Sequence, residues 1–94
     1  MAVVPAAPLE SWRRRIARSS LAPTPRLVAL VLAQNLDEEM SSFRHPSVSL
    51  LASQSGLSER SIREHIQELE RGGFILIERR SGYSNGYLPI SGGG

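Results

Sequence analysis

The stretch "SQSGLSERSIREHIQELERGGFI", residues 53–75, constrains the fold most, because it ends one helix and begins another within a few residues. Gly56 suits the left-handed conformation that follows a helix end. Ser58 is a strong N-cap for the next helix, and Ser47 is expected to cap the preceding one over 48–55. The segment predicts two short helices joined by a tight turn.

The second of these helices has two different faces. Its apolar residues recur at helical spacing, which predicts a buried side made of Ile62, Ile66 and Leu69. The opposite side is polar and carries Arg60, Arg63, Glu64 and Gln67. The helix is therefore expected to pack on a core and to leave a charged face outside.

A hairpin is predicted directly after Gly72 and Gly73. "FILIERR" is typical of a strand, "SGYSNG" of a turn and "YLPI" of the returning strand. Asn85 is expected to be the left-handed turn residue before Gly86. Pro89 has no N–H and is expected to confine the returning strand to a sheet edge.

Two further helices are predicted upstream. Over 9–19 the apolar residues Leu9, Trp12 and Ile16 recur at helical spacing. A central core helix is predicted from Thr24 as N-cap and Pro25 as first residue, running to Leu36. The acidic residues 37–39 follow at the negative pole of that helix and are expected to fray its last turn.

The length of 94 residues allows one small domain. We predict a flexible tail at 1–8, the domain at 9–90 and a flexible Gly-rich end at 91–94. The absence of Cys excludes disulfides and thiolate metal sites. His45 and His65 have no carboxylate or Cys at metal-ligand spacing, and no nucleophile is matched with a base. We expect no metal, no cofactor and no enzyme activity.

No apolar stretch reaches the roughly 18 residues of a membrane span, and "MAVVPAAPLESW" lacks the basic start of a secretory signal. A cytoplasmic protein without membrane contact is expected. Net charge is only +2, but residues 1–26 carry five Arg against Glu10, for +4. Residues 27–57 sum to −2, and residues 58–94 balance five Arg with five Glu. All cations are Arg; guanidinium suits phosphate and guanine, although codon bias in a GC-rich genome explains the choice better.

Residues 21–90 resemble the winged helix-turn-helix domain of phage and plasmid replication initiators and related bacterial transcriptional regulators. The matching residues are Phe43, Pro46-Ser47, Leu51-Ala52, Gly56-Leu57-Ser58, Ser61-Ile62, Leu69-Glu70, Gly73-Phe74-Ile75 and the wing "RRSGYSNGY". The resemblance implies a mainly α fold with a small β-hairpin wing, and a protein that binds double-stranded DNA. Two departures are the outer acids Glu59, Glu64 and Glu68, and the pair Arg44-His45 inside the usual aromatic-Pro link.

Candidate DNA-binding residues follow from the helix-turn-helix pattern and the resemblance. On the recognition helix they are Ser58, Arg60, Ser61, Arg63, Glu64 and Gln67. On the wing they are Arg79, Arg80, Tyr83 and Asn85, and on the first helix Arg13, Arg14 and Arg15. Simpler roles stay open: Arg60 with Glu64 and Arg63 with Glu59 are at ion-pair spacing. The first helix could also be docked with its Arg on a solvated side.

The functional hypothesis is double-stranded DNA binding in phage or plasmid DNA replication, or in transcription regulation. A winged helix used for protein contact, through Trp12 and the wing, is the alternative, and a structural module of a longer chain is a third. A homodimer and a replication or transcription protein are open as further partners.

Overall fold

The computed structural model describes residues 8–90, which form four helices and a two-stranded antiparallel hairpin. The elements are α1 (Pro8–Arg18), α2 (Pro23–Ala33), α3 (Val48–Ser55), α4 (Glu59–Arg71), β1 (Ile75–Glu78) and β2 (Gly86–Pro89). This confirms the mainly α winged helix-turn-helix fold. The predicted flexible segments lie outside the described residues, except Pro8, which is the first residue of α1.

One hydrophobic cluster joins all four helices to the hairpin. From α1 it takes the predicted residues Leu9, Trp12 and Ile16, each at most 2 % exposed. The indole Nε1 of Trp12 also donates a hydrogen bond to the carbonyl oxygen of Phe74 at 2.9 Å. The first helix is therefore docked on the base of the hairpin as well as on α2.

The start of α2 differs from the prediction. Ala22 is the N-cap residue in extended conformation, and Pro23 is the first helical residue, so Thr24 is not the cap. The reason is that the first-turn N–H groups have no partner within a helix, so a proline costs nothing there. Pro23 and Pro25 both fit that first turn, and the helix begins as early as they allow.

The end of α2 also differs, because the helix stops at Ala33 and the acidic residues lie beyond it. Asp37 accepts hydrogen bonds from the backbone N–H and the hydroxyl of Ser41, at 3.0 and 2.8 Å, and from both groups of Ser42. These bonds, those from Ser41 foremost, hold the pKa of Asp37 well below its usual range. The last turn predicted for the helix is therefore not α-helical: the N–H groups of 34–36 bond to the third residue back, and the Asp37 carboxylate closes the turn that follows instead of opposing a helix dipole.

The hairpin pairs Ile75 with Pro89 and Glu78 with Gly86 at its two ends. A further bridge on the outer side of β2 joins Arg44 to Tyr87, with N···O distances of 3.2 and 2.8 Å. β2 is an edge strand of this two-stranded sheet, as Pro89 led us to expect, and the bridge covers its outer edge at Tyr87 alone among the described residues. Pro89 ends this pairing, because the position two residues after Tyr87 would need its missing N–H.

Candidate nucleic-acid interface

The turn between α3 and α4 is built by local interactions. The Ser47 hydroxyl accepts a hydrogen bond from the N–H of Leu50, and the Ser58 hydroxyl accepts one from the N–H of Ser61, each at 3.0 Å. Gly56 follows α3 with φ +76°, in the left-handed region. The two predicted caps and the predicted left-handed turn are confirmed.

The core fixes which side of α4 faces outward. Ile62, Ile66 and Leu69 are buried as predicted, and Leu57 in the turn packs against the same cluster. On the opposite side the Arg60 side chain is 89 % exposed. The outward face predicted from the spacing is therefore available to a ligand.

The outer charges of α4 are paired with one another. Arg60 Nε donates to Glu64 at 3.1 Å, and Arg63 donates to Glu59 at 3.3 Å. These are the i, i+4 pairs that the sequence left open, and such exposed pairs contribute only about 0.2–0.5 kcal/mol each. A phosphate or a base edge can therefore compete for either guanidinium at small cost.

Arg79 is held by an intramolecular ion pair with Glu70 of α4. Its two terminal nitrogens donate to the two carboxylate oxygens of Glu70 at 3.0 and 2.9 Å. This hydrogen bonding lowers the pKa of Glu70 and raises the pKa of Arg79. The pair braces the hairpin against α4, a role that the sequence reading did not assign to Arg79.

At the wing tip the left-handed residue is Gly82, with φ +78°, and not Asn85. The expectation for Asn85 was wrong because the loop is longer than a two-residue turn, and a glycine within it takes the unusual conformation. Asn85 instead accepts a hydrogen bond from the N–H of Arg80 at 3.1 Å. The Arg80 guanidinium lies 5.1 Å from the ring centre of Tyr83, and Tyr83 is 72 % exposed to solvent.

The wing tip and the amino ends of α3 and α4 enclose one open groove of about 500 Å³. Of the predicted residues it brings together Arg63, Tyr83 and Asn85. A smaller cavity beside it, of about 140 Å³, brings Arg63 to Gln67, Arg79 and Asn85. Arg60, Ser61 and Glu64 line neither cavity, because they lie on other sides of α4.

Sequence reasoning missed several residues of the groove, among them Ser47, Ser49 and Tyr87. Tyr87 is only 2 % exposed, and burial raises its pKa, against the opposing charges of Arg63 and Arg79. Its inward place on β2 follows from strand alternation, but the groove above it depends on how α4 and the hairpin meet. Only the tertiary structure shows that relationship.

The predicted Arg residues of α1 lie elsewhere. The Arg15 guanidinium stacks 4.4 Å from the ring centre of Phe74 and donates to the Ile90 carbonyl at 2.9 Å. Arg14 is 3.6 Å from Glu10. These contacts are at the hairpin base, away from the groove, so α1 is docked in the way that the simpler interpretation described.

Both histidines have carboxylate neighbours, contrary to the sequence expectation. His45 Nε2 is 2.9 Å from Glu78, and His65 Nδ1 is 3.1 Å from Glu68. The first pair was missed because its members are far apart in sequence. Across residues 8–90 no three His, Asp or Glu side chains gather into a possible metal site. Over the same residues, none of the helices has the length and apolar character to cross a membrane.

A family model described as a helix-turn-helix domain matches residues 21–75, which is more than half of the chain. The protein belongs to this helix-turn-helix family, and membership suggests that its partner is DNA. The match spans α2, α3, α4 and the first residue of the hairpin, so it includes the helical side of the groove and not its wing side, which is made by residues 82–87. Neither the curated proteins nor the solved structures gave a significant match.

Proposed function

We propose that the protein binds double-stranded DNA through the outer face of α4 and the tip of the wing. It would act in the replication initiation of a phage or plasmid, or in transcription regulation, as a binding protein and not as an enzyme. The observation that carries this proposal is the shared groove, in which Arg63 of α4 and Tyr83 and Asn85 of the wing line one cavity.

The outer face of α4 fits a major groove. The groove of B-DNA admits an α-helix, and Arg is the side chain that most often binds guanine there. Arg60 and Arg63 both lie in the first half of the helix and are held only by exposed pairs. Gln67 suits adenine, and Glu64 can accept from the amino group of cytosine. The N–H groups of Glu59 and Arg60, which follow the Ser58 cap in the first turn of α4 and have no partner within the helix, suit a phosphate.

The wing supplies a second contact beside the helix. Arg80 is exposed, makes no ion pair among the described residues and stacks near Tyr83. A guanidinium and an aromatic ring at a loop tip suit the sugar-phosphate backbone or a minor groove. Arg79 would support this contact indirectly, through Glu70. The likeness of "RRSGYSNGY" to the wings of replication initiators supports the finer assignment.

Selection of duplexes from a random pool with the purified chain tests the proposal. Recovery of a defined motif is expected, followed by a salt series of fluorescence anisotropy on that motif. If four phosphates are neutralised, the logarithm of the affinity falls with that of the salt concentration at a slope of about −3.6. Absence of duplex binding at low salt would contradict DNA recognition.

A wing used for protein contact is the second candidate. The observation that favours it is Leu76, which is 47 % exposed on the hairpin. Trp12 cannot serve, because it is 2 % exposed and packed in the core. Leu76→Ser separates the two candidates. Under the DNA proposal this variant should bind duplexes as tightly as the unchanged chain does. The alternative would be favoured if the unchanged chain bound no DNA and Leu76→Ser abolished binding to a protein partner.

A further inference from the structure

The arginines of α1 are less compensated than those of the recognition helix. Within residues 8–90 neither Arg13 nor Arg18 has a carboxylate at ion-pair distance, and Arg14 has only Glu10 at 3.6 Å. On α4, by contrast, Arg60 and Arg63 are each paired. The positive charge of the front part of the chain is therefore concentrated on α1.

Three of the α1 arginines, Arg14, Arg15 and Arg18, line an open groove of about 690 Å³, which we name the α1 groove. Its lining includes Arg14, Arg15, Arg18, Ser11, Ser20 and Phe74. Arg15 is held in place by the Phe74 ring and by the carbonyl oxygens of Ile90 and Gly73. Arg14 and Arg18 are exposed beside it, so one fixed and two adaptable guanidinium groups face the same space.

The α1 groove lies at the opposite end of α4 from the groove between α4 and the wing tip. Gly72, the C-cap of α4, lines the first, and Glu59, its first residue, lines the second. Thirteen helical residues at 1.5 Å each separate these ends by about 20 Å. The hairpin runs the same way, with its tip at one groove and its base at the other.

We propose that the α1 groove is a second, sequence-independent site for the phosphate groups of a nucleic-acid backbone. It would let a chain bound through α4 hold another duplex segment. The proposal rests on the proposed function only in that DNA is the source of the phosphates. The guanidinium fork matches two phosphate oxygens at once, and the hydroxyls of Ser11 and Ser20 add donors at the rim.

The electrostatic balance of the groove is positive. Three Arg side chains and Glu10 sum to +2, and the carboxyl ends of α1 and α4 each bring about half a negative charge. Roughly one unit of positive charge is left. An acidic protein surface fits less well, because the centre of a protein interface is apolar, and the apolar face of Phe74 is covered by Arg15.

The test uses a background variant of the 94-residue chain, Arg60→Ala/Arg63→Ala/Arg80→Ala, in which recognition through α4 and the wing is disabled. In that background, Arg14→Gln/Arg18→Gln removes charge from the α1 groove. Arg44→Gln/Arg71→Gln is the control, because it lowers the net charge equally and neither residue lines the groove. Thermal melting of all three chains confirms that each is folded.

Anisotropy with a scrambled duplex at low salt should show about tenfold weaker binding for the α1 variant, with a salt slope shallower by about 1.8 for two phosphates. The control should stay within about twofold of the background. Equal weakening in the control would overturn the site. A competition experiment gives a second check, with poly-L-glutamate and competitor DNA added at equal charge. If poly-L-glutamate displaced the duplex as effectively as the competitor DNA did, the site would be overturned in favour of an acidic protein partner.

The proposed function is judged separately, from the preferred duplex and the chain with α4 intact. There Arg14→Gln/Arg18→Gln should leave the binding of a short preferred duplex through α4 unchanged, because the α1 groove holds a different duplex segment, and should still weaken the binding of a scrambled duplex. If no preferred duplex exists but the α1 variant still loses scrambled binding, the α1 site stands and recognition by α4 fails. If a preferred duplex exists but the α1 variant binds scrambled duplexes as tightly as its background does, the α1 site is ruled out and the proposed function stands.

Discussion

Arg79 and Glu70 join the end of β1 to the last turns of α4 through two parallel hydrogen bonds of 3.0 and 2.9 Å. Both residues face partly into solvent, with side-chain exposures of 59 % and 33 %. An exposed pair of this kind contributes only about 0.2–1 kcal/mol to stability. Its larger effect is geometric, because it sets where the wing stands beside the recognition helix.

Arg79→Ala and Glu70→Ala are therefore expected to weaken duplex binding by a similar factor, while the free energy of unfolding falls by less than about 1 kcal/mol. Anisotropy and urea denaturation measure the two effects. Glu68→Ala is the matched control, since it removes the same charge from α4 at a residue that contacts His65 instead. Tighter DNA binding by Glu70→Ala alone would show that Arg79, once released, is a phosphate contact and not a brace.

Gly56→Val should destabilise the fold by roughly 1–3 kcal/mol. The Gly56 φ of +76° is strained for a β-branched residue, while nothing lies within 4 Å of an added Cβ, so the cost is conformational and not steric. Gly56→Asn is the control, because Asn tolerates the left-handed region and should cost less. Thermal melting of the three chains would contradict this account if Val and Asn were equally tolerated.

The recognition helix and the wing should differ in what their arginines do. Arg60→Ala and Arg63→Ala should each cost about 1–3 kcal/mol on the preferred duplex and relax sequence preference. Arg80→Ala should weaken preferred and scrambled duplexes alike and reduce the salt slope by about one. If only Arg80→Ala changed the preferred sequence, the wing would be the reader and our assignment would be reversed.

Asp37 should make the stability of the fold depend on pH. Its pKa is lowered in the folded protein from the ordinary 3.8, so its contribution is fully present above the unfolded value and is lost as pH falls towards the folded one. Asp37→Asn should therefore melt below wild type at pH 7, with the gap narrowing below about pH 4. Ser41→Ala, which removes one of the donors, should show a smaller gap with the same trend. A gap independent of pH would contradict the role of the carboxylate.

Features set by neighbouring residues could be predicted from the sequence. Ser47, Gly56 and Ser58 act within one helical turn of their own positions, and the structure places all three in their expected roles. The buried side of α4 follows from periodicity alone. Two prolines so close together, however, made the start of α2 ambiguous. The sequence favoured Pro25 as the first helical residue, whereas the helix begins at Pro23.

Features that join distant parts of the chain could not be predicted. The pairs Arg79–Glu70 and His45–Glu78, and the bridge from Arg44 to Tyr87, have no spacing rule that a single sequence could reveal. The same holds for Arg15, whose stacking on Phe74 joins residues far apart in the chain. The outward side of α4 could therefore be predicted from the sequence, but the partners of the candidate arginines required the fold.

The short bridge at Tyr87 has a consequence for self-association. A sheet edge with free N–H groups is a template on which another chain can add a strand and begin to aggregate. Along the outer edge of β2 the N–H of Tyr87 is already bonded to Arg44, and Pro89, the next residue facing that way, has no N–H to offer. An incoming strand would find no donor at either position, so this side of the wing is closed to fibril-like growth while the tip stays free to bind.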